Sequence, residues 1–319
     1  MFRVAKHLTS ILMICSLVLL CSCVQTKPLI LSSQSIEQPQ IQTRYQNGWL
    51  LAENQPAETK FRVLLLPGFL CTDTIYRDML NDKTMPAAGI QLVAGNPPGF
   101  KGLPVEKGFD CSIEGYAKEV LELNALETYD VIVGHSFFAN VLIEVAASKR
   151  YQGSLMLLSP SLSRKSEDME TRFFDGISRV PLVGQISMLM VYQTMGAMFE
   201  PYFIDEEKDK IPPVAADARK TPISMACRLL NAFFNYIDDH GDLSKRLGRT
   251  NHPVVCIRGV DDHVQLLPAH RRQLAKSPWV KIIEIEGSKH FVMIDHPEML
   301  NQFLLKMIFD RPARSVKIN

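Results

Sequence analysis

The sequence predicts an α/β fold: a mostly parallel sheet flanked by helices, with an inserted helical cap. The first observation is the segment at residues 62–66, which is continuously apolar after Arg62, as is typical of a parallel strand buried on both faces. The second is the alternation of such runs with helix-like segments from about residue 41 onward. The third is an interruption, because residues 163–250 show helical stretches rich in methionine and no buried strand pattern. With 319 residues, 46% of them hydrophobic, the chain is long enough to bury such a core.

Local signals place the individual elements along the chain. Asn47-Gly48 between residues 42–45 and 49–51 is typical of a β-hairpin turn. Ser112 is the expected N-cap of an amphipathic helix over residues 112–120, because its hydroxyl can accept a hydrogen bond from the first turn. The other predicted elements are, in order, strand 62–66, helix 74–80, strand 90–94, strand 131–133, helix 138–149, strand 155–158, strand 253–257, helix 269–276, strand 280–285 and helix 297–309.

The first 40 residues are predicted to lie outside this fold. Basic residues precede an apolar run over residues 11–20, which is shorter than the about 20 residues that cross a bilayer and fits a secretory signal peptide. The run ends in Leu20-Cys-Ser-Cys23, which resembles the lipobox of bacterial lipoproteins, where a small residue precedes the lipidated cysteine. Cys21 is the poorer candidate because a leucine precedes it.

This resemblance implies that residues 1–22 are a lipoprotein signal peptide and that Cys23 carries a diacylglycerol anchor. The two acyl chains of such an anchor are enough for stable membrane attachment. An ordinary cleaved signal and an uncleaved anchor are the alternatives. Residues 23–40, rich in Gln, Ser and Pro, are predicted to form a flexible tether. Val24 is not the aspartate linked in some bacteria to inner-membrane retention, which favours the periplasmic face of the outer membrane.

Composition excludes several classes of function. A net charge of +1, with 22% charged residues, provides no basic field for nucleic acid. The cysteines match no metal-ligand spacing, and the glycines form no phosphate-cradling or dinucleotide pattern, so neither a metal nor a cofactor is expected. Cys256, in an apolar strand, is expected to be a buried free thiol, whereas pairing of Cys71 with Cys111 stays open.

Three residues in the predicted catalytic domain have the types and positions of a catalytic triad. Ser136 lies between a buried strand and a helix, where a sharp turn would display its hydroxyl as a nucleophile. A serine hydroxyl needs a base to accept its proton, and the base needs an acid to fix its tautomer. His290 follows the strand at 280–285, and Asp262 follows the strand ending at residue 257, so both loops should open on the same edge as Ser136.

Five motifs follow one another in chain order: Leu66-Pro-Gly-Phe69, Asn96-Pro-Pro-Gly99, Gly134-His-Ser136, Gly259-x-x-Asp262, and Gly287-Ser-Lys-His290 with His296-Pro-Glu298. Through these motifs, residues 41–310 resemble the serine hydrolases of the α/β-hydrolase family. The family's acid stands three residues after a glycine, which favours Asp262 over its neighbour Asp261. By position, the resemblance implies that the backbone N–H groups of Phe69 and Phe137 form the oxyanion hole.

One residue departs from the family pattern. The position two residues after the serine, usually glycine, is Phe138 here. A phenylalanine is expected to widen the turn or to need small residues opposite it. In the structural alternative, Ser136 is a small residue in a turn and His290 caps a helix. Three other histidines, at positions 135, 263 and 296, are expected to be structural or solvent-facing. The cap methionines are expected to serve helix packing more than a substrate wall.

The resemblance implies an enzyme, a carboxylic ester hydrolase formed by residues 41–319 with its cap at about 163–250. Its substrate would be a small-molecule ester with a small or medium apolar acyl chain, cleaved through an acyl-enzyme intermediate. A serine nucleophile, in place of an aspartate, argues against epoxide and haloalkane chemistry. Thioesterases, acyltransferases, C–C hydrolases and cofactor-free haloperoxidases use the same triad, and a ligand-binding lipoprotein without catalytic activity is the alternative of a different class.

Overall fold

The computed structural model describes residues 41–310. The predicted signal peptide at 1–22, the lipidation site Cys23 and the tether at 23–40 lie outside the described residues. Among the described residues no helix is both long enough and apolar enough to cross a membrane. The strands are β1 (Gln42–Gln46), β2 (Trp49–Glu53), β3 (Phe61–Leu66), β4 (Ile90–Asn96), β5 (Val131–His135), β6 (Ser154–Leu158), β7 (Val254–Gly259) and β8 (Val280–Ile285).

Helices separate most of these strands, and short 3₁₀ turns connect several of the helices. Ser112 caps the helix that follows it, accepting a hydrogen bond from the Gly115 N–H at 2.9 Å, as its position predicts. The α-helices are α1 (Arg77–Asn81), α2 (Thr84–Ala87), α3 (Ile113–Leu126), α4 (Phe137–Ser148), α5 (Met169–Ser178), α6 (Val183–Gln193), α7 (Met195–Phe199), α8 (Ile211–Ala218), α9 (Ile223–His240), α10 (Leu243–Leu247), α11 (Pro268–Leu274), α12 (Val292–Asp295) and α13 (Pro297–Phe309).

The eight strands form one sheet in the order β1-β2-β4-β3-β5-β6-β7-β8. The hairpin β1–β2 joins the sheet antiparallel to β4, and every pairing from β4 to β8 is parallel. The carboxyl ends of β3, β5, β7 and β8 therefore open on one edge, which is where parallel sheets place their sites.

Both faces of the sheet are covered, as the continuous apolar runs predict. In β3, Leu64 and Leu66 belong to the core that includes α3 and α4, whereas Val63 and Leu65 face the core that includes α13. Alternate side chains of one strand thus enter opposite layers, and a strand placed this way needs apolar residues at every position.

Helices α5 to α10 stand between β6 and β7 and form the inserted cap, so the predicted fold class is confirmed. Helix α5 packs against α6, and α9 packs against both. Several predicted bounds differ from the structure. The helix at 74–80 begins as a 3₁₀ turn at Asp73–Tyr76, β4 continues to Asn96, and the helix that Ser112 caps continues to Leu126. Cys71 and Cys111 are both buried free thiols, as is Cys256.

Candidate active site

Ser136 occupies a sharp turn between β5 and α4. Its φ of 49° and ψ of −107° are unfavourable for a residue with a side chain and cost on the order of 1–3 kcal/mol. Backbone hydrogen bonds hold the turn: the Ser136 N–H donates to the Leu158 carbonyl at 2.8 Å, and the Asn140 N–H donates to the Ser136 carbonyl at 3.2 Å. This is the geometry of a nucleophile elbow, which presents the serine side chain above the sheet edge.

The Phe138 side chain is accommodated by an aromatic cluster beside the elbow. The ring is fully buried, with its centroid 6.3 Å from Trp49, 5.8 Å from Phe100 and 5.4 Å from Tyr116. Gly134 gives clearance to the backbone of the turn, because a Cβ there would lie 2.5 Å from the Phe138 carbonyl oxygen. The turn therefore forms because its clearance comes from Gly134.

His290 and Asp262 are joined by a hydrogen bond. The distance from His290 Nδ1 to Asp262 Oδ1 is 2.9 Å, and the same oxygen accepts the Val264 N–H at 2.9 Å. The two loops lie so close together that a Cβ at Gly259 would be 2.1 Å from the Ser288 carbonyl oxygen, which only a glycine avoids. Asp261, the rival acid, is exposed, and its backbone N–H donates to that carbonyl at 3.1 Å.

Charge and hydrogen bonding stabilise an ionised carboxylate at Asp262. Burial alone would raise the pKa of Asp262, but the charge and hydrogen bond of His290 lower this pKa well below its usual range. Burial alone would lower the pKa of His290, but Asp262 and the charge of Glu167 shift it upward overall. The carboxylate is thus suited to fixing the ring tautomer with the proton on Nδ1, which leaves Nε2 to act as the base.

Ser136 and His290 line one cavity, which has a volume of about 670 Å³ including its open mouth. In the part of the chain that the structure describes, the His290 ring is hydrogen-bonded to Asp262 and not to the Ser136 hydroxyl. Catalytic hydrogen bonds are often long without substrate and shorten in the complex. The structure therefore brings base and acid into direct contact, and brings serine and base to the same cavity.

The expected oxyanion donors lie at the same cavity. Phe69 follows β3 and Phe137 is the first residue of α4, and both line the cavity together with Ser136. The first N–H groups of a helix have no partner within the helix and lie at its positive end. Phe137 therefore offers a backbone donor of the kind that stabilises an oxyanion.

Two further histidines adjoin His290. The ring centroids of His135 and His263 each lie 4.7 Å from that of His290. His135 is buried, and its Nε2 lies 3.1 Å from the His290 carbonyl oxygen, so its side chain contacts the backbone of the loop that carries His290. His263 is not a simple solvent-facing residue, because it lines the cavity and its Nδ1 lies 3.4 Å from Asp262 Oδ1. Burial lowers the pKa of His263 to about 3, which keeps this ring neutral.

One group of side chains in the described residues has the spacing to hold a metal ion. Ligand atoms of Asp262, His263 and His290 lie within 4.8 Å of one another. The sequence did not reveal this cluster, because the loop that carries His290 approaches the loop that carries Asp262 and His263 only in the folded sheet. A cation there would compete for the Asp262 carboxylate, which already accepts a hydrogen bond from His290 Nδ1.

Glu167 is a site residue that the sequence analysis missed. It follows a 3₁₀ turn at the start of the cap, is buried and lines the cavity with His290. Burial raises the pKa of Glu167 to about 7, so its carboxyl is partly neutral near neutral pH. No local pattern marks this position, since an acidic residue before a helix is usually a solvated one.

A second, mostly apolar chamber adjoins the cavity. Met188, Met195 and Met198 line this chamber, so the cap methionines form a wall as well as contributing to helix packing. The residues shared by both spaces are Phe69, Thr171, Phe199, Tyr202 and Leu230. The shared residues show that the apolar chamber lies next to the cavity that Ser136 lines.

No family model matches the chain, and no curated protein matches it. Solved structures do match. A thermophilic esterase from Thermogutta terrifontis is 17% identical, with a TM-score of 0.61 over 84% of this chain and 96% of that chain. An N-acyl homoserine lactonase complexed with N-hexanoyl homoserine is 15% identical, with a TM-score of 0.62 over 85% of this chain and 97% of that chain.

A laboratory-evolved variant of a potato epoxide hydrolase is 16% identical, with a TM-score of 0.66 over 85% of this chain and 99% of that chain. The three similar proteins differ in the reactions that their names describe. At sequence identities this low, the structural similarity establishes only the fold, which is the α/β-hydrolase fold. Function has to be argued from the site itself.

Proposed function

We propose that this protein is a serine hydrolase that cleaves carboxylic esters with a small or medium apolar acyl chain. The observation that carries the proposal is the 2.9 Å hydrogen bond between His290 and buried Asp262 at the cavity that Ser136 lines. A binding protein without catalytic activity would have no need for an ionised carboxylate that orients a histidine beside an elbow serine.

In the proposed mechanism, His290 Nε2 accepts the Ser136 proton as the hydroxyl oxygen attacks the ester carbonyl. The backbone N–H groups of Phe137 and Phe69 stabilise the oxyanion, and each such donor contributes on the order of 3–4 kcal/mol. Asp262 stabilises the imidazolium that forms. His290 then protonates the leaving alcohol and activates a water molecule, which releases the acid and restores the serine.

The lining of the site supports an apolar acyl group. The second chamber is formed mainly by methionine, phenylalanine and aliphatic side chains, with Thr171 and Tyr202 at the side shared with the cavity. Apolar walls with few polar groups bind a hydrocarbon chain by excluding water. Thioesters present the same acyl group, so thioesters are tested as substrates together with esters.

We also propose that the protein is exported and anchored through a lipid on Cys23, at the periplasmic face of the outer membrane. The support is the short apolar run before Cys23 and the polar residues after it. Metabolic labelling with a palmitate analogue tests this: wild type should be labelled and Cys23→Ser should not. Labelling that persists in Cys23→Ser would contradict the assignment.

A fluorophosphonate probe tests the proposed activity without knowledge of the substrate. Wild type should be labelled, Ser136→Ala should not, and Ser148→Ala, at the far end of the same helix α4, should be labelled as wild type. A panel of p-nitrophenyl esters and thioesters of rising chain length then defines the acyl preference. Absence of labelling in folded wild type would contradict the proposed activity and support the alternative, a ligand-binding protein with this fold.

A further inference from the structure

Exposed apolar side chains are concentrated on the hairpin formed by α5 and α6. Within residues 41–310, fourteen large apolar side chains are exposed, and eight of them fall between residues 169 and 190. Single exposed apolar residues are common, whereas a cluster on one face marks a surface that binds something. The eight are Met169, Phe173, Val180, Leu182, Val183, Ile186, Leu189 and Met190.

Charge is absent from the α6 part of this stretch, whereas the α5 part carries Glu170, Arg172, Asp175 and Arg179. Residues 180–199 include no Asp, Glu, Lys, Arg or His, although 22% of the chain is charged and a segment of this length would carry about four charges. Water-facing helices normally carry charged residues on their outer side. A helix without them has an outer face that is poorly suited to water.

Helix α6 is apolar on both sides. On its inner side, Met188 and Val191 line the chamber that adjoins the active-site cavity. On its outer side, Val183, Ile186 and Met190 are exposed. Gln185 and Gln193 are the exposed polar residues of this helix, and its other exposed residues are apolar. A helix that is apolar on most sides is found in a protein core or in contact with lipid, and the protein covers only one side of this helix.

The tip of the hairpin displays a leucine at a cost in backbone energy. Leu182 has φ 64° and ψ −49°, and the Val183 N–H donates to the Pro181 carbonyl at 2.7 Å, which closes a tight three-residue turn. This turn is strained for a residue with a branched side chain. The Leu182 side chain is 71% exposed, so this conformation directs an apolar group outward, away from the protein.

We propose that this face of the α5–α6 hairpin docks on a lipid bilayer, with its side chains at the boundary between headgroups and acyl chains. The eight side chains are aliphatic or methionine except Phe173, and none is the tyrosine, tryptophan or arginine that typically anchors a protein partner. The chain also provides a means of reaching a membrane, because residues 24–40 can span up to about 60 Å between the proposed lipid on Cys23 and the fold.

This docking goes beyond the proposed hydrolysis and needs no catalytic step. It would place α6 between the bilayer and the apolar chamber, so an apolar ligand leaving the lipid would have a short path through protein. The binding surface and the active site are separate, since none of the eight residues lines the cavity that holds Ser136 and His290.

Quenching of tryptophan fluorescence by brominated lipid tests the docking in the full chain. Leu182→Trp places a reporter on the hairpin tip, and Leu126→Trp places a matched reporter on α3, where the wild-type leucine is 59% exposed. With phosphatidylcholine vesicles brominated on the acyl chains, emission from position 182 should fall by roughly half or more and shift to the blue, because an interfacial side chain lies at acyl-chain depth. Emission from position 126 should not change.

The native tryptophans, Trp49 and Trp279, are present in both variants and in wild type, so wild type provides the background. Ile186→Trp, on the outer face of α6, gives a second reporter if Leu182→Trp fails to fold. The same quenching at positions 182 and 126 would mean that the N-terminal segment alone holds the protein at the vesicle, and would overturn the proposal.

Other occupants of this face give different results. A reporter at position 182 that is already blue-shifted without vesicles and unaffected by them would show that the chain's own apolar segment covers the hairpin. A dimer in sedimentation velocity that Ile186→Glu converts to monomer would assign the face to a second copy of the chain. If the emission at position 182 is neither shifted nor quenched when vesicles are added, the hairpin does not dock on lipid and the proposal is wrong.

Discussion

Replacing Asp262 by asparagine should nearly abolish activity while leaving the fold intact. The Asp262 side chain is buried, and its Oδ1 accepts from His290 Nδ1 at 2.9 Å. Asparagine keeps the size of the side chain but removes the negative charge. It also brings an N–H donor into a position where His290 Nδ1 now acts as acceptor, which places the ring proton on Nε2, the wrong nitrogen for accepting the serine proton.

The size of the effect follows from the geometry. The carboxylate and the imidazolium that forms in the transition state are charges about 4 Å apart, which at an effective dielectric constant of about 20 interact by about 4 kcal/mol, or about 10³-fold in rate. The wrong tautomer adds to this loss. We expect kcat/KM, or the rate of labelling by a fluorophosphonate, to fall by about 10³- to 10⁴-fold.

Asp261→Asn is the matched control, because Asp261 is adjacent in sequence and exposed. This variant should keep its labelling rate within about twofold of wild type, as expected for a surface charge change. Circular dichroism would confirm that both variants are folded. A loss in Asp261→Asn with full activity in Asp262→Asn would refute the assignment of the acid, and equal activity in both would refute the triad.

Two other variants test the surroundings of the site. Phe138→Ala should destabilise the fold by about 3–5 kcal/mol, because it empties a buried ring position, and should lower Tm in a circular dichroism melt by roughly 6–10 °C. Phe173→Ala, which removes a ring that is 62% exposed, should change stability by about 0.5 kcal/mol at most, and equal shifts in both would disprove the role of the aromatic cluster. Glu167→Gln removes a carboxyl that raises the pKa of His290 to the extent that it is ionised, so the fall in activity on the acid side should move slightly to lower pH. Labelling rates measured from about pH 5 to 8 give the profile, with Glu170→Gln on the exposed side of α5 as control, and a shift to higher pH would contradict the electrostatic argument.

Elements defined by local patterns could be predicted from the sequence. Strand β8 and helix α13 have the bounds that periodicity and the Pro297 start indicate, and Ser112 caps α3 as its type and position require. The elbow serine and the Asp262–His290 pair were also accessible, because the carboxyl ends of parallel strands meet at one edge whatever the details of each loop.

Features that depend on contacts distant in sequence were not accessible. Glu167 becomes a buried acid only because the cap folds over the cavity, and His263 approaches His290 only because β7 and β8 are neighbours. The position of β4 between β2 and β3 likewise depends on how the chain crosses over, which the order of elements does not reveal. The exposed face of α6 was hidden for a different reason, since an apolar run looks the same whether its residues are inside or outside.

The fully buried ring of Phe138 bears on how proteins of this kind are found. Surveys that search for a serine with glycine two places on either side would pass over this chain. Here one upstream glycine provides enough room, and the downstream position is free to contribute to the hydrophobic core. A search pattern that requires only the first of the two glycines would recover such proteins, provided that an acid and a histidine follow at the right strand ends.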